Sequence, residues 1–136
     1  MKIFNAVLIP AAVLLAAACT TTPQTPARSV SFVAPANDAV VTSPFTVKFG
    51  VAGMAVQPAG TMTPDTGHHH LLINAEDVPV MTVIPVDEQH LHFGKGQTET
   101  TLNLKPGKYK LTMQFGNGAH QAYGPAMSQS INVTVQ

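Results

Sequence analysis

The chain has 136 residues, with seven basic groups against seven acidic, six histidines, one cysteine and no tryptophan. A neutral balance of this kind excludes the basic footprint of a nucleic-acid-binding module. A single cysteine excludes an internal disulfide, and the length bounds the chain to about one domain.

The amino terminus reads as an export signal. Lys2 supplies the positive start, Ala6 to Leu15 an apolar stretch broken only by Pro10, and Ala16-Ala17-Ala18 the small residues of a cleavage site. Residues 1–18 are therefore expected to be a signal peptide, shorter than the roughly 20 apolar residues that a spanning helix needs. Cys19 follows immediately, and Leu15-Ala16-Ala17-Ala18-Cys19 resembles the lipobox of bacterial lipoproteins, with Ala16 where leucine is usual. The resemblance implies acylation of Cys19 and attachment to the membrane through lipid rather than through a span. Thr20 after the cysteine resembles an outer-membrane sorting signal, which implies an exported, lipid-anchored protein facing the periplasm. The alternative at the same position is an ordinary signal-peptidase cleavage. Residues 19–28 are expected to form the lipidated cysteine and a Thr/Pro/Gln-rich tether without apolar periodicity.

Residues 29–136 are expected to form the folded domain, and removal of Lys2 with the signal leaves it close to neutral. Apolar residues recur with period two: Val47, Phe49 and Val51; Leu102 and Leu104; Tyr109, Leu111 and Met113; Ile131, Val133 and Val135. Pro and Gly clusters separate these runs, as at Ser43-Pro44, Pro64 to Gly67, Pro106-Gly107 and Gly116-Asn117-Gly118. Short strands at this spacing predict an all-β fold, a single immunoglobulin-like antiparallel β-sandwich. Leu102 to Leu111 resembles the corner before strand F of such sandwiches, with Tyr109 as the corner tyrosine. The segment Ala75 to Glu88, with four carboxylates and two prolines, reads as a long exposed loop between strands, a candidate gate for the histidine patch.

Histidines carry the strongest chemical signal. His68, His69 and His70 precede the apolar run Leu71-Leu72-Ile73, and His90 and His92 follow on a second strand-like stretch. Side chains alternate along a strand, so His68 and His70 share one face while His69 takes the other with Leu71 and Ile73. His90 and His92 likewise share the face opposite Leu91 and Phe93. Four imidazoles can thus meet, and His120, past the Gly116-Asn117-Gly118 turn, is a fifth candidate. The candidate metal ligands are His68, His70, His90, His92 and His120. Such a set without thiolate suits copper, zinc or nickel at about 2.0–2.1 Å. Met54 and Met62, in the loop before the histidine strand, would admit Cu(I). The competing reading is a hydrogen-bonded imidazole network with Asp87, Glu88, Gln97 and Glu99. Phe93 to Thr98 lacks the spacing of a phosphate-binding loop, so Gly94 and Gly96 are expected to serve a bulge or tight turn.

Four blocks, Gly67 to Asn74 (GHHHLLIN), Gln89 to Thr100 (QHLHFGKGQTET), Leu104 to Phe115 (LKPGKYKLTMQF) and Gly118 to Pro125 (GAHQAYGP), resemble the signature of a widespread bacterial family of exported domains of unknown function. The resemblance implies export and a β-rich fold and carries no activity. The expected function is a cell-envelope lipoprotein that is not an enzyme and binds a transition metal, copper before zinc, as tentative cofactor. Its expected partners are that metal ion and the membrane, with an envelope protein or glycan as a further candidate. The alternative is a structural or interaction module recognising a glycan or protein, and a metal-dependent hydrolase, using Glu99 with the histidines, comes third.

Overall fold

Alternating burial organises the chain, as in β3 (Phe45–Ala52), where Phe45, Val47 and Phe49 point inward while Thr46 and Lys48 face solvent. The structure is a computed structural model that describes Gln24 and residues 27–136. The expected signal peptide, Cys19 and most of the tether lie outside the described residues. The remaining strands are β1 (Ser29–Ala34), β2 (Ala39–Val41), β4 (Ala55–Val56), β5 (Thr66–Ile73), β6 (His90–His92), β7 (Glu99–Leu102), β8 (Gly107–Gly116) and β9 (Ser128–Val135). One 3-10 turn, Pro125–Met127, precedes β9.

Two sheets result. One has the order β1-β3-β7, the other β2-β9-β8-β5-β4, with β6 also paired to β5. Labelling β1, β3, β5, β7, β8 and β9 as A, B, C, E, F and G gives A-B-E facing G-F-C, the strand order of an immunoglobulin-type sandwich without strand D. Two short pairings depart from the antiparallel expectation: β2 with β9 and β4 with β5 are parallel. Both β2 and β4 are brief edge segments that the chain lays down as it passes between sheets, and there a parallel direction needs no crossover helix.

Val30, Phe45, Val47 and Phe49 from one sheet meet Leu71, Leu111, Met113, Phe115, Ile131 and Val133 from the other in one shared core. The corner tyrosine is present: the Tyr109 hydroxyl donates to the Lys105 carbonyl at 2.9 Å, next to the expected neighbour Leu104.

The segment between β5 and β6 departs from a free loop. It lies across the outer face of the larger sheet, where Val78 N–H donates to Gln114 Oε1 at 2.9 Å and Gln114 Nε2 donates back to the Val78 carbonyl at 2.6 Å. Further along, Met81 N–H donates to the Ala122 carbonyl at 2.8 Å and Ile84 N–H to the His120 carbonyl at 2.9 Å. Ile84 is only 1% exposed and packs with Leu72 and Ala122 in a second, small core. This cover explains why every residue of β5 from Thr66 to Leu72 is buried, although the strand has a core face and an outer face.

Removal of the Tyr109 hydroxyl leaves the half-buried ring in place and the Lys105 carbonyl without its donor. Tyr109→Phe is expected to lower stability by about 1 kcal/mol, the usual net value of one hydrogen bond, in urea denaturation at constant slope.

Candidate metal centre

Gly67 opens the histidine run because β5 and β8 approach closely: a Cβ there would overlap the Gly116 carbonyl oxygen and the Phe115 ring. Strand alternation then divides the three imidazoles, all fully buried. His69 enters the inter-sheet core, its ring centroid 5.1 Å from Phe49 and 5.0 Å from Phe115. His68 and His70 turn to the outer face, beneath the cover.

Two further imidazoles meet them there. β6 pairs antiparallel with β5 in the register that sets His92 opposite His70, with ring centroids 5.2 Å apart. His120 arrives from the turn after β8. Asn117 builds that turn, its Oδ1 accepting from the N–H groups of Ala119 and Gln121 at 2.9 and 3.0 Å while its carbonyl accepts from His120 N–H at 2.9 Å. His120 itself holds φ +64°, a left-handed conformation uncommon outside glycine. The result brings one ring nitrogen from each of His68, His70, His92 and His120 within 4.8 Å of all the others.

Two glycines make room for these rings. A Cβ on Gly94 would fall inside the His92 imidazole, and one on Gly116 would stand 3.0 Å from His70 Cε1 and 3.3 Å from Ile84 Cδ1. Gly94 lies with Gly96 in the turn expected of them and also seats a ring. Gly116, Asn117 and Ile84 gave no chemical signal in the sequence, since each acts by shape or through backbone contacts.

His90 does not join the four. Its Nδ1 bonds Asp87 Oδ1 at 2.8 Å, and it stands opposite Leu72, one step beyond His92 along β6. Glu99 is remote as well: it lies on β7 in the other sheet, 3.9 Å from Lys48 Nζ, so the hydrolytic grouping with the histidines does not form. Met54 packs against the main core and Met62 is largely exposed. Gln97 accepts from Lys95 N–H and Asp87 engages His90, so neither completes a network around the cluster. A cavity of about 350 Å³ bordered by Asp38, Lys108, Lys110 and Asn132 lies over β8 and β9, and no histidine lines it.

Hydrogen bonding within the cluster is sparse. Its one contact is His68 Nε2 to His120 Nδ1 at 3.4 Å, long for a hydrogen bond. His68 Nδ1, both nitrogens of His70 and His92 Nε2 are buried without a partner. Burial pushes His68 down to about 4 and His70 to about 3, with mutual repulsion among the imidazoles adding to both, and burial likewise lowers His92. These rings are neutral at physiological pH, the state that coordinates metal. Chemically, the grouping can hold a cation through four neutral nitrogens or persist as a weakly bonded imidazole cluster.

The same depression fixes a pH dependence for the metal-free protein. Unfolded histidine titrates near 6.5, whereas His68, His69 and His70 take up protons only near 4, 4 and 3 when folded. Between these limits the unfolded chain binds more protons, so stability falls as pH drops from about 6.5 toward 4 and is insensitive to these groups above that window. His69, lowered by burial alone, accounts for about 3 kcal/mol of the loss. His69→Leu should remove that share and raise stability at pH 5, read by denaturant melts across pH. Nitrogen-15 imidazole spectra should show His68 and His70 still neutral at that pH.

No match was found among curated proteins or among solved structures. A family model described as a domain of unknown function, DUF4399, matches residues 47–136. The match begins inside β3 and takes in all four clustered histidines, Gly94, Gly116 and the turn that carries His120. With most of its length covered, the chain belongs to the DUF4399 family of domains of unknown function.

Proposed function

We propose that this protein is a cell-envelope metal-binding lipoprotein that holds one transition-metal ion, copper foremost, between His68, His70, His92 and His120. The observation that carries the reading is the set of buried imidazole nitrogens that converge within 4.8 Å yet have almost no hydrogen bonds. A buried polar nitrogen left without a partner costs about 1–3 kcal/mol, so an imidazole network without bonds is a poor reason to gather four rings, two of them wholly buried. Coordination supplies the missing partners. Two nitrogens bound at about 2.0–2.1 Å to a tetrahedral ion stand about 3.3–3.4 Å apart, which is the His68–His120 separation. Closing the widest pair requires a contraction of up to about 1.4 Å, within the range of imidazole rotation.

A ligand set of neutral imidazoles with no thiolate favours borderline ions, and among divalent ions the Irving–Williams order places Cu(II) first. Zinc fits the same four nitrogens in tetrahedral geometry. Export and anchoring complete the reading: acylated Cys19 would hold the domain at the membrane, with the Thr/Pro/Gln-rich segment as its tether.

Protein purified without a histidine tag should bind close to one Cu(II) or Zn(II) per chain in calorimetry, and the copper form should show several equivalent nitrogen couplings by electron paramagnetic resonance. Changing His68, His70, His92 or His120 singly to Ala should weaken binding by roughly tenfold or more, about 1.4 kcal/mol, whereas His69→Leu should leave it intact. Absence of binding at micromolar metal would sink the reading in favour of an interaction module.

Attachment is tested separately. Wild-type protein should partition with membranes and carry acyl mass on Cys19, and Cys19→Ser should move it to the soluble fraction. An unmodified thiol in soluble wild-type protein would refute the anchor.

A further inference from the structure

The four clustered imidazoles leave open how an ion reaches them. His68 and His70 are wholly buried and His92 and His120 half-buried, so the ion must pass the outer pair. On one side of His92 stands His90, the histidine that the cluster does not use. Alternate residues of β6 point the same way, which places the two rings on one sheet face about 7 Å apart along the strand.

His90 is held in a defined pose. Asp87 Oδ1 accepts from Gln89 N–H at 2.8 Å, from His90 N–H at 2.9 Å and from His90 Nδ1 at 2.8 Å. With a carboxylate as its partner Nδ1 is the donor, so Nε2 is the ring nitrogen turned away from Asp87. A carboxylate behind an imidazole is the arrangement that orients a ligating histidine and raises its basicity. The four clustered rings lack this support among the described residues, whereas His90 has it. Asp87 is half-exposed and 15% of the His90 side chain reaches solvent, so the pair sits at the boundary between water and the cluster.

Charge favours cations at the same boundary. Residues 75–88 carry Glu76, Asp77, Asp87 and Glu88 and no lysine or arginine. Lys110 engages Glu76 at 3.1 Å, and the other three face solvent on the cover. Asp87 and Glu88, next to His90 in the chain, place negative charge on the approach to that ring. The carboxylates are not themselves a site; the buried nitrogens without partners behind His92 supply the destination.

We infer that His90, oriented by Asp87, is the entry ligand that captures the metal ion from solvent and passes it to His92 and the buried cluster. The inference rests on the metal-binding reading above. One imidazole holds an ion briefly, as a relay requires, and four hold it at the end of the path. An entry ligand accelerates arrival and departure alike, so its loss slows both and preserves their ratio.

The test is stopped-flow uptake of Cu(II), and separately Zn(II), by the full chain in detergent, with release into excess chelator, for wild type, His90→Ala, His90→Gln and Asp87→Asn. His90→Ala and His90→Gln should slow uptake and release together by about tenfold, with one ion per chain still bound at unchanged affinity. Asp87→Asn should fall between them and wild type. The glutamine variant guards against a folding defect of the alanine variant, and circular dichroism checks both. Wild-type uptake rates in both His90 variants would overturn the relay. Loss of stoichiometric binding in them would also overturn it, by making His90 a resident ligand. Failure of the wild type to bind either metal would instead remove the metal-binding reading itself.

Discussion

Everything at this site depends on burying three consecutive imidazoles on one central strand. Alternation sends His69 into the sandwich core and His68 and His70 to the opposite face, and neither side of β5 is left to water. An exposed sheet face would have left His68 and His70 hydrated and free to protonate. Here they are held neutral by desolvation first and by a neighbouring imidazole second, His92 for His68 and His68 for His70. A fold that needed only stability would fill these positions with apolar side chains, which carry no unmet hydrogen-bonding capacity. The burial of unpartnered nitrogens is thus a cost that the rest of the domain must offset.

The offset comes from two separate cores. The shared core of the sandwich, with Phe45, Val47 and Phe49 against Leu71, Leu111 and Phe115, closes over the inner side of β5 and accommodates the His69 ring among aromatic neighbours. The smaller core of Leu72, Ile84 and Ala122 does a different job: it pins the cover onto the outer face. Gln114, fully buried beside His70, strengthens the pin through its paired bonds to Val78. The main fold therefore does not require the cluster to be closed. Opening of the cover would disturb a small apolar patch and a few backbone bonds, leaving the sandwich core in place.

Period-two runs made the sandwich legible in the sequence, because the alternation of Val47, Phe49 and Val51, or of Ile131, Val133 and Val135, is dictated by one buried face. The Pro106-Gly107 corner similarly announced Tyr109. Face assignment also separated His69 from His68 and His70. What alternation cannot supply is position across elements: His90 and His92 have the same face and the same chemistry, and only the register of β6 on β5 sets His92 against His70 and His90 against Leu72. The parallel edges at β2 and β4 and the reach of Ile84 into a second core are likewise products of long-range contacts. So is the depth of the imidazole shifts, since a carboxylate-rich, proline-bearing segment reads as exposed until its partners are known.

The four cluster residues differ in how firmly the fold holds them, and this difference bears on what the site does. His68 and His70 stand on a central strand whose neighbours bond it on both edges. His92 belongs to a three-residue edge strand, and His120 to a turn that holds a left-handed backbone through Asn117. Two rings therefore stand on a strand bonded along both edges, while two are presented from a short edge strand and a turn. A purely structural metal site gains from four rigid ligands and a supporting shell behind each. Two ligands on a central strand and two at the periphery, with no hydrogen-bonded support behind the buried pair, suit the proposed uptake and release of an ion. On this physical ground the proposed metal centre is better described as a place of exchange than as a staple of the fold.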